Sequence, residues 1–410
     1  MDKKDFASVK ARFLRYVKVD TQSQEESDSF PSTQKQKDLA RILFAELRDL
    51  GLEAYMDEDY GYVYGWIPST LEEEERTLAF IAHMDTSPAV SGKGVNPQVV
   101  ENYQGQVLEL GGGRVLDPKV FPSLENFIGQ DLITTDGTTL LGADDKAGVA
   151  EIMTMAAYLV AHPEVKHGPL ALCFTPDEEV GAGVDHIDLD RLGADFAYTV
   201  DGGLLGEIEY ENFNAASGQV TIKGRSVHPG SAKGLMVNAL DLAVEFAASL
   251  PQDQVPQKTE GYEGFFHLDR LEGDVSGARL SYIIRDHDRD LFEKKKALFR
   301  DLGKKIQDKY GEDALDLKLE DSYYNMKEKI EPHMFLIDRA KEAMEAMGIE
   351  PRVKAIRGGT DGARLSYMGL PTPNLCAGGL NFHGEYEYVS VQSMEAISQL
   401  LVQLAMTVFK

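Results

Sequence analysis

Apolar residues recur at helical spacing near the start of the chain and form shorter, denser runs after residue 60. The helical pattern covers Phe6 to Val17 and then about Gln34 to Leu50, which predicts two amphipathic helices. Gly51 follows the second helix, where glycine commonly forms a C-terminal cap. Runs at 61–67, 77–82, 132–135, 169–175 and 196–200 predict β-strands, and a helical stretch follows the third run at 150–160. We expect the Gly- and Pro-rich region 87–129 to be irregular surface chain.

The pattern changes between Gly218 and Asn325 to strand, helix, strand, strand, helix, strand. These elements are predicted at 219–223, 236–250, 264–271, 278–285, 290–310 and 315–320. Their order is typical of a ferredoxin-like α+β domain inserted into another domain. We therefore predict a discontinuous domain of residues 1–215 and 326–410, with 216–325 as the insert.

Length and charge narrow the possible functions. The chain has 410 residues, which is more than a single hydrophobic core usually supports, so two domains are expected. Its formal net charge of −26 disfavours nucleic acid and anionic membrane surfaces as partners. We see no membrane-length apolar run and no apolar leader, and expect a soluble, cytoplasmic protein. Cys173 and Cys376 lie in apolar surroundings and are expected to be free thiols.

Polar residues follow several predicted strands at their carboxyl ends. His83 and Asp85 follow the run at 77–82, Glu178 and Glu179 follow 169–175, and Asp201 follows 196–200. A single such residue is more often a turn or cap residue than a site. Several together are difficult to explain by turn preference, because open α/β sheets bind ligands at this edge.

Two further motifs extend this set. Asp144 and Asp145 lie between the strand run 132–135 and a helix, which predicts a position near a helix N-terminus at the end of a strand. His383 follows a Gly-rich stretch near the end of the chain. Imidazole and carboxylate groups can both serve as metal ligands. His83 and Asp85, two residues apart on an extended segment, can point the same way, as a ligand and its hydrogen-bond partner.

With these motifs, the sequence resembles the two-domain, dinuclear zinc exopeptidases, a family that includes carboxypeptidase G, carnosinase and succinyl-diaminopimelate desuccinylase. The resemblance covers nearly the whole chain and depends on an ordered set of motifs at 81–88, 95–103, 134–148, 174–181, 199–203 and 357–362. It implies an α/β catalytic domain, with a mixed sheet flanked by helices, and an inserted lid domain.

The resemblance also implies a ligand set and a reaction. One zinc ion would be held by His83, Asp144 and Asp201, and a second by Asp144, Glu179 and His383, with cobalt or manganese as possible substitutes. Asp85 would orient His83, and Glu178 would be the general base for a zinc-bridging hydroxide that attacks the peptide carbonyl. The resemblance further implies a cis peptide bond between Asp144 and Asp145.

Roles in substrate binding are expected from both domains. The resemblance implies that His228, in the motif Ser226 to Gly230, stabilises the oxyanion when the lid closes. Arg285 could hold a peptide carboxylate, although a structural ion pair with Asp286 or Asp288 is a close alternative. Asp177 and Asp361 are candidates for binding the substrate ammonium group.

Three functions remain open from the sequence. The resemblance favours a metallo-aminopeptidase that removes the N-terminal residue from tripeptides. The alternatives are another amide hydrolase, such as a dipeptidase or an N-acyl amino acid deacylase, and a binding protein without activity. The expected partners are small peptides, and pairing of two copies through the lid is possible.

Overall fold

The computed structural model describes residues 3–72 and 75–407. Its helices, in chain order, are α1 Ser8–Tyr16, α2 Gln36–Asp49, α3 Ala143–Ala161, α4 Leu189–Leu192, α5 Ala239–Ser249, α6 Arg289–Tyr310, α7 Lys327–Ile330, α8 Phe335–Ala346, α9 Asp361–Tyr367 and α10 Val391–Ala405. The two predicted N-terminal helices are confirmed, and Gly51 has the left-handed φ of 81° expected of a cap.

Apart from short 3₁₀ helices, the remaining regular structure consists of strands. They are β1 Glu53–Met56, β2 Val63–Ile67, β3 Leu78–His83, β4 Gln98–Val100, β5 Leu108–Gly111, β6 Arg114–Leu116, β7 Leu132–Thr134, β8 Leu170–Thr175, β9 Phe196–Gly202, β10 Glu207–Asn212, β11 Asn214–Lys223, β12 Phe265–Asp274, β13 Gly277–Asp286, β14 Leu315–Tyr323, β15 Arg352–Ile356, β16 Asn374–Cys376, β17 Gly379–Leu380 and β18 Tyr388–Ser390. The expectation of irregular chain at 87–129 was wrong in part, since it contains β4, β5 and β6.

The chain divides into two compact units. The larger comprises Met1–Tyr210, Lys329–Lys354 and Thr360–Lys410, and the smaller comprises Glu211–Glu328 and Ala355–Gly359. The main segment of the smaller unit overlaps the insert expected at 216–325, whose exact boundaries stay a prediction, and the unit also takes in a short later segment.

A mixed sheet forms the centre of the larger unit. Among the described residues its strand order is β1-β2-β8-β3-β9-β16-β10-β15. β3 pairs in parallel with both β8 and β9, and β9 pairs in parallel with β16, while β2 runs antiparallel to β8. The carboxyl ends of β3, β8 and β9 therefore lie at one edge of the sheet, which is the edge that binds ligands in open α/β folds.

Helix α3 is buried along almost its whole length and packs against β3, β9, α1 and α10. It approaches the sheet very closely at Gly148. A Cβ atom there would collide with the backbone carbonyl oxygen of Val200 and with the carboxylate of Asp145. Glycine is therefore required at this position, because it lets the helix lie directly against the strand that carries Asp201.

A smaller sheet carries two of the expected site segments. Its strand order is β17-β18-β7-β4, with antiparallel pairing throughout. The prediction that Asp144 lies directly at the carboxyl end of a strand was wrong. β7 ends at Thr134, and the chain then runs through a non-repetitive segment before α3 begins. The reason is that β7 belongs to this second sheet and the chain must leave it to reach the centre of the unit.

The smaller unit has the predicted ferredoxin-like arrangement. Its antiparallel sheet has the order β12-β13-β11-β14, and α5 and α6 both pack against it. The core between helices and sheet includes Phe246, Tyr282 and Phe299, whose rings lie 5.1 to 6.0 Å apart. The mixed sheet with flanking helices and this α+β insert confirm the predicted fold class.

Two further expectations concern single features of the chain. Cys173 and Cys376 are buried free thiols, as predicted. None of the helices in the described ranges combines the length and the apolar character needed to cross a bilayer.

Candidate metal centre

His83 is the last residue of β3 and points its ring into a group of carboxylates. Its Nε2 atom lies 2.8 Å from Asp144 Oδ1 and 3.4 Å from Asp201 Oδ1. Asp201 lies near the end of β9, the parallel neighbour of β3, so the sheet itself brings these two residues together. The nitrogen and the two oxygens all lie within 4.8 Å of one another, a spacing that one metal ion can bridge.

A second group shares Asp144 with the first. His383 Nε2 lies 3.0 Å from Asp144 Oδ2 and 3.0 Å from Glu179 Oε2. Each oxygen of Asp144 therefore faces a different histidine. This arrangement suits a carboxylate that bridges two metal ions. The structure brings together the five metal ligands expected from the sequence, and the peptide bond between Asp144 and Asp145 is cis, as the resemblance implied.

Burial and mutual repulsion of these carboxylates shift their pKa values in a direction that bound cations would oppose. Burial raises the pKa of Glu179 to about 7, and the charge of Asp144 adds to this effect. Burial also raises the pKa of Asp201 to about 6. Hydrogen bonds to Asp144 and Glu179 raise the pKa of His383 to about 11. Crowded, buried acids are stabilised by positive charge between them, so this set of imidazole and carboxylate donors fits two divalent ions.

Glu179 supplies a second indication of a metal site. One of its oxygens, Oε2, faces His383, while the other, Oε1, is buried and has no hydrogen-bond partner among the described residues. A buried carboxylate oxygen without a donor is costly unless a cation satisfies it.

Asp85 contacts both His83 and the turn that carries Glu178 and Glu179. It is fully buried, and His83 Nδ1 lies 3.2 Å from its backbone carbonyl oxygen and 3.3 Å from its carboxylate Oδ1. The same carboxylate accepts hydrogen bonds from the backbone N–H groups of Glu178 (3.0 Å) and Glu179 (3.2 Å). The placement fits the orienting role expected for Asp85, and it shows a second contact that the sequence did not predict.

Glu178 lies beside the ligands in the turn after β8. Burial raises its pKa well above the ordinary value, and the nearby charge of Asp201 raises it further. It belongs to neither of the two ligand groups. This is the position expected of a general base, which must be close to the reacting water without binding the metal.

Asp177 does not fit the role expected from the sequence. Its carboxylate is only 1% exposed and accepts hydrogen bonds from the Ser32 N–H, the Ser32 hydroxyl and Gln36 Nε2. Its own N–H donates to Gln36 Oε1 at 3.1 Å. A carboxylate with its oxygens already occupied is not available to a substrate ammonium group, so the contacts of Asp177 anchor the turn that carries Glu178 instead.

Asp361 is also buried, at 5% exposure, at the first turn of α9. Its Oδ2 accepts a hydrogen bond from Thr175 Oγ1 at 3.1 Å. Burial raises its pKa to about 7, and His83 is close enough to oppose this rise. Asp361 thus lies near the ligands, and its expected contact with substrate stays a prediction.

The two remaining expected residues belong to the smaller unit. His228 is exposed, and its Nδ1 accepts a hydrogen bond from the Gly230 N–H at 3.1 Å. Arg285 Nη1 donates to the backbone carbonyl of Arg357 at 3.0 Å. The acids considered as partners of Arg285 have other contacts, since Asp286 faces Lys295 and Asp288 caps α6. The roles expected for His228 and Arg285 stay predictions.

Several supporting contacts were not predicted from the sequence. Asp145 Oδ2 accepts a hydrogen bond from the backbone N–H of His83, and Asn374 Oδ1 accepts one from that of Asp201, both at 3.2 Å. Glu387 accepts three hydrogen bonds from the segment that leads to Asp144. The sequence pointed to Asp145 as the neighbour of Asp144, but not to its contact with the His83 N–H. Asn374 and Glu387 are remote in sequence and give no comparable signal.

A polar cavity of about 780 Å³ adjoins the second ligand group. Its lining includes Glu179 and His383 together with Gln24, Glu25 and Lys35. This volume lies in the range of small-molecule sites, and the polar lining suits a substrate with charged or hydrogen-bonding groups.

Comparison with known proteins agrees with this geometry. Residues 210–314 match the family described as the peptidase dimerisation domain. Over 395 residues the chain is 54% identical to peptidase T of Geobacillus thermodenitrificans, and the alignment covers 96% of each protein. The fold is similar to that of aminopeptidase PepT from Bacillus cereus (TM-score 0.76, 23% identity, 99% of this chain and 98% of that one). It is also similar to a tripeptidase from Staphylococcus aureus (TM-score 0.79, 21% identity, 99% and 98%). The identity over almost the full length of both proteins shows that this chain belongs to the peptidase T family and is a peptidase.

Proposed function

We propose that this enzyme releases the N-terminal residue from tripeptides, using two divalent metal ions, with zinc as the preferred ion. The observation that carries the proposal is Asp144, whose two oxygens face two separate ligand groups with Glu178 beside them. The relatives named peptidase T and the structures described as an aminopeptidase and a tripeptidase support the substrate class.

The chain offers a complete set of ligands for the two ions. His83, Asp144 and Asp201 would hold the first, and Asp144, Glu179 and His383 would hold the second. Imidazole and carboxylate donors favour zinc over harder ions such as magnesium. When bound, a pair of such ions lowers the pKa of water and polarises the carbonyl group of the substrate.

Glu178 supplies the proton transfers of the proposed reaction. Its carboxylate takes a proton from the attacking water and later gives it to the leaving amine, so that the peptide C–N bond breaks without forming a free amide anion. Burial raises the pKa of Glu178, which suits a group that has to carry a proton between water and the leaving amine. Its backbone is fixed by the hydrogen bond from its N–H to Asp85.

Further roles from the sequence are part of the proposal. We propose that His228 stabilises the oxyanion, that Arg285 binds the substrate carboxylate, and that Asp361 binds the substrate ammonium group. The match of residues 210–314 to a peptidase dimerisation domain supports a homodimer. Alanine variants of His228 and Arg285 would be expected to lower kcat and to raise KM, respectively, for the preferred peptide.

The test is a series of peptides of two, three and four residues, each with a free and an acetylated N-terminus. The assays follow product release from metal-free enzyme and after addition of zinc, cobalt or manganese. We expect metal-dependent cleavage of the free tripeptide with release of its first residue. Preferred cleavage of dipeptides or of acetylated substrates would replace the proposal by a dipeptidase or a deacylase. Stoichiometric metal binding without turnover of any peptide would indicate a binding protein.

A further inference from the structure

Glu387 makes an unusual set of contacts at the metal centre. It is 1% exposed and lies directly before β18, four residues after the ligand His383. One carboxylate oxygen, Oε2, accepts hydrogen bonds from the N–H groups of Leu141 (2.7 Å) and Gly142 (2.8 Å). The other, Oε1, accepts one from the N–H of Asp144 at 3.1 Å. A single side chain thus satisfies three backbone donors around the shared metal ligand.

These three donors need an acceptor from outside their own segment. Gly142 has a left-handed φ of 81°, and Asp144 has non-helical angles of φ −85° and ψ 105°, so neither residue is part of the regular helix that follows. Buried backbone N–H groups are nearly always hydrogen-bonded, and here the carboxylate of Glu387 provides the bonds. The position of Asp144 therefore depends on Glu387.

The same residue ends the segment that carries His383. Asn381 and His383 have φ values of 56° and 61°, a conformation that residues other than glycine rarely adopt. The segment is closed by hydrogen bonds from Asn381 Nδ2 to the Tyr386 carbonyl (3.1 Å) and from the Glu387 N–H to the Gly384 carbonyl (3.4 Å). Glu387 therefore joins the segment of one ligand to the segment of another.

We propose that Glu387 is a positioning residue that sets the separation of Asp144 and His383 and thereby the affinity of the second metal position. It makes no contact with substrate in this role. The ligand atoms it controls are His383 Nε2 and Asp144 Oδ2, now 3.0 Å apart. The inference deepens the proposed function, because it requires that the enzyme hold two ions.

The test compares Glu387→Gln and Glu387→Asp with the wild-type enzyme. In Glu387→Gln an amide N–H₂ group replaces one acceptor oxygen and faces backbone N–H donors. In Glu387→Asp both acceptor oxygens remain, but on a shorter side chain. We expect Glu387→Gln to bind the weaker of two zinc ions about 10- to 100-fold less tightly, the usual effect of losing a partner behind the ligands. Glu387→Asp should lie between Glu387→Gln and wild type.

Glu385→Gln is the matched control. Glu385 lies in the same segment, but its side chain pairs with Arg114 at 2.8 Å and not with the ligand segment. Zinc affinity is measured by competition of metal-free protein with a chromophoric chelator, and folding by circular dichroism and thermal melting. The control should bind both ions as the wild type does.

The outcomes separate this inference from the proposed function. Loss of affinity at one of two positions, with recovery of kcat at high zinc concentration, would support the positioning role. A Glu387→Gln enzyme that melts at a lower temperature but binds both ions with wild-type affinity would refute it and leave the metal mechanism intact. A wild-type enzyme that binds fewer than two ions would refute both. Should Glu387→Gln fail to fold, the affinity of Glu387→Asp decides the question.

Discussion

The substitution Asp85→Asn tests how the buried framework supports the metal centre. Asp85 is fully buried, and its two oxygens face three partners: the ring of His83 and the backbone N–H groups of Glu178 and Glu179. Asparagine has nearly the same shape but only one acceptor oxygen. In every orientation of the amide, at least one partner faces an N–H₂ group in place of an oxygen.

The structure indicates which orientation costs least. With the amide oxygen at the position of Oδ1, the contacts to His83 and to the Glu178 N–H remain, and only the Glu179 N–H loses its acceptor. One unsatisfied buried donor costs about 1–3 kcal/mol of folding stability. The neutral amide also removes the negative charge beside His83, and changing such a partner of a histidine ligand weakens metal binding by about 10- to 100-fold. At about 1.4 kcal/mol for each factor of ten, this is roughly 1.4–2.8 kcal/mol of binding free energy.

The assay measures zinc affinity by chelator competition and kcat/KM for a tripeptide in excess metal. Asp57→Asn is the control, because Asp57 Oδ1 also accepts two backbone hydrogen bonds, from Asp59 (2.9 Å) and Tyr60 (2.8 Å), in a loop outside the ligand groups. We expect weaker zinc binding only in Asp85→Asn. Equal zinc affinity in the two variants would refute the argument that Asp85 tunes His83.

Three other experiments test the general base, the packing of α3 and the charges of the metal ligands. Glu178→Gln should keep both metal ions by elemental analysis but lose about 10²- to 10⁴-fold in kcat, and near-normal turnover would exclude Glu178 as the base. Gly148→Ala places a Cβ against the sheet and should lower unfolding free energy in urea by about 1–3 kcal/mol or more; an unchanged midpoint would contradict the close approach of α3. Metal-free enzyme should become less stable as the pH rises from 5 to 8. The folded-state pKa values of Asp201 (about 6) and Glu179 (about 7) exceed their ordinary values of 3.8 and 4.5. The folded state therefore holds more protons than the unfolded state in this range, and a rise in pH favours unfolding. Zinc should flatten this dependence of the melting temperature on pH, and a melting temperature that rises with pH in the metal-free enzyme would contradict the assignment.

The sequence by itself determined the chemistry available to this enzyme. Apolar runs that end in His83, Glu179 and Asp201 are local signals, because a buried strand and the polar residue that follows it are adjacent in the chain. The alternation of strands and helices between 219 and 320 is local in the same sense. Both the fold class and the types of ligand could therefore be predicted, with the exact roles supplied by resemblance to a family.

Only the tertiary structure decided how these residues are held. The chain reaches Asp144 only after leaving a second sheet. The carboxylate of Asp177 accepts hydrogen bonds from Ser32 and Gln36. Glu387 accepts hydrogen bonds from a segment more than 240 residues earlier in the chain. None of these contacts has a sequence pattern, because each depends on how distant segments pack. A carboxylate looks the same in the sequence whether it faces a substrate, a metal ion or a backbone N–H. The donors that surround it in the folded protein decide between these roles.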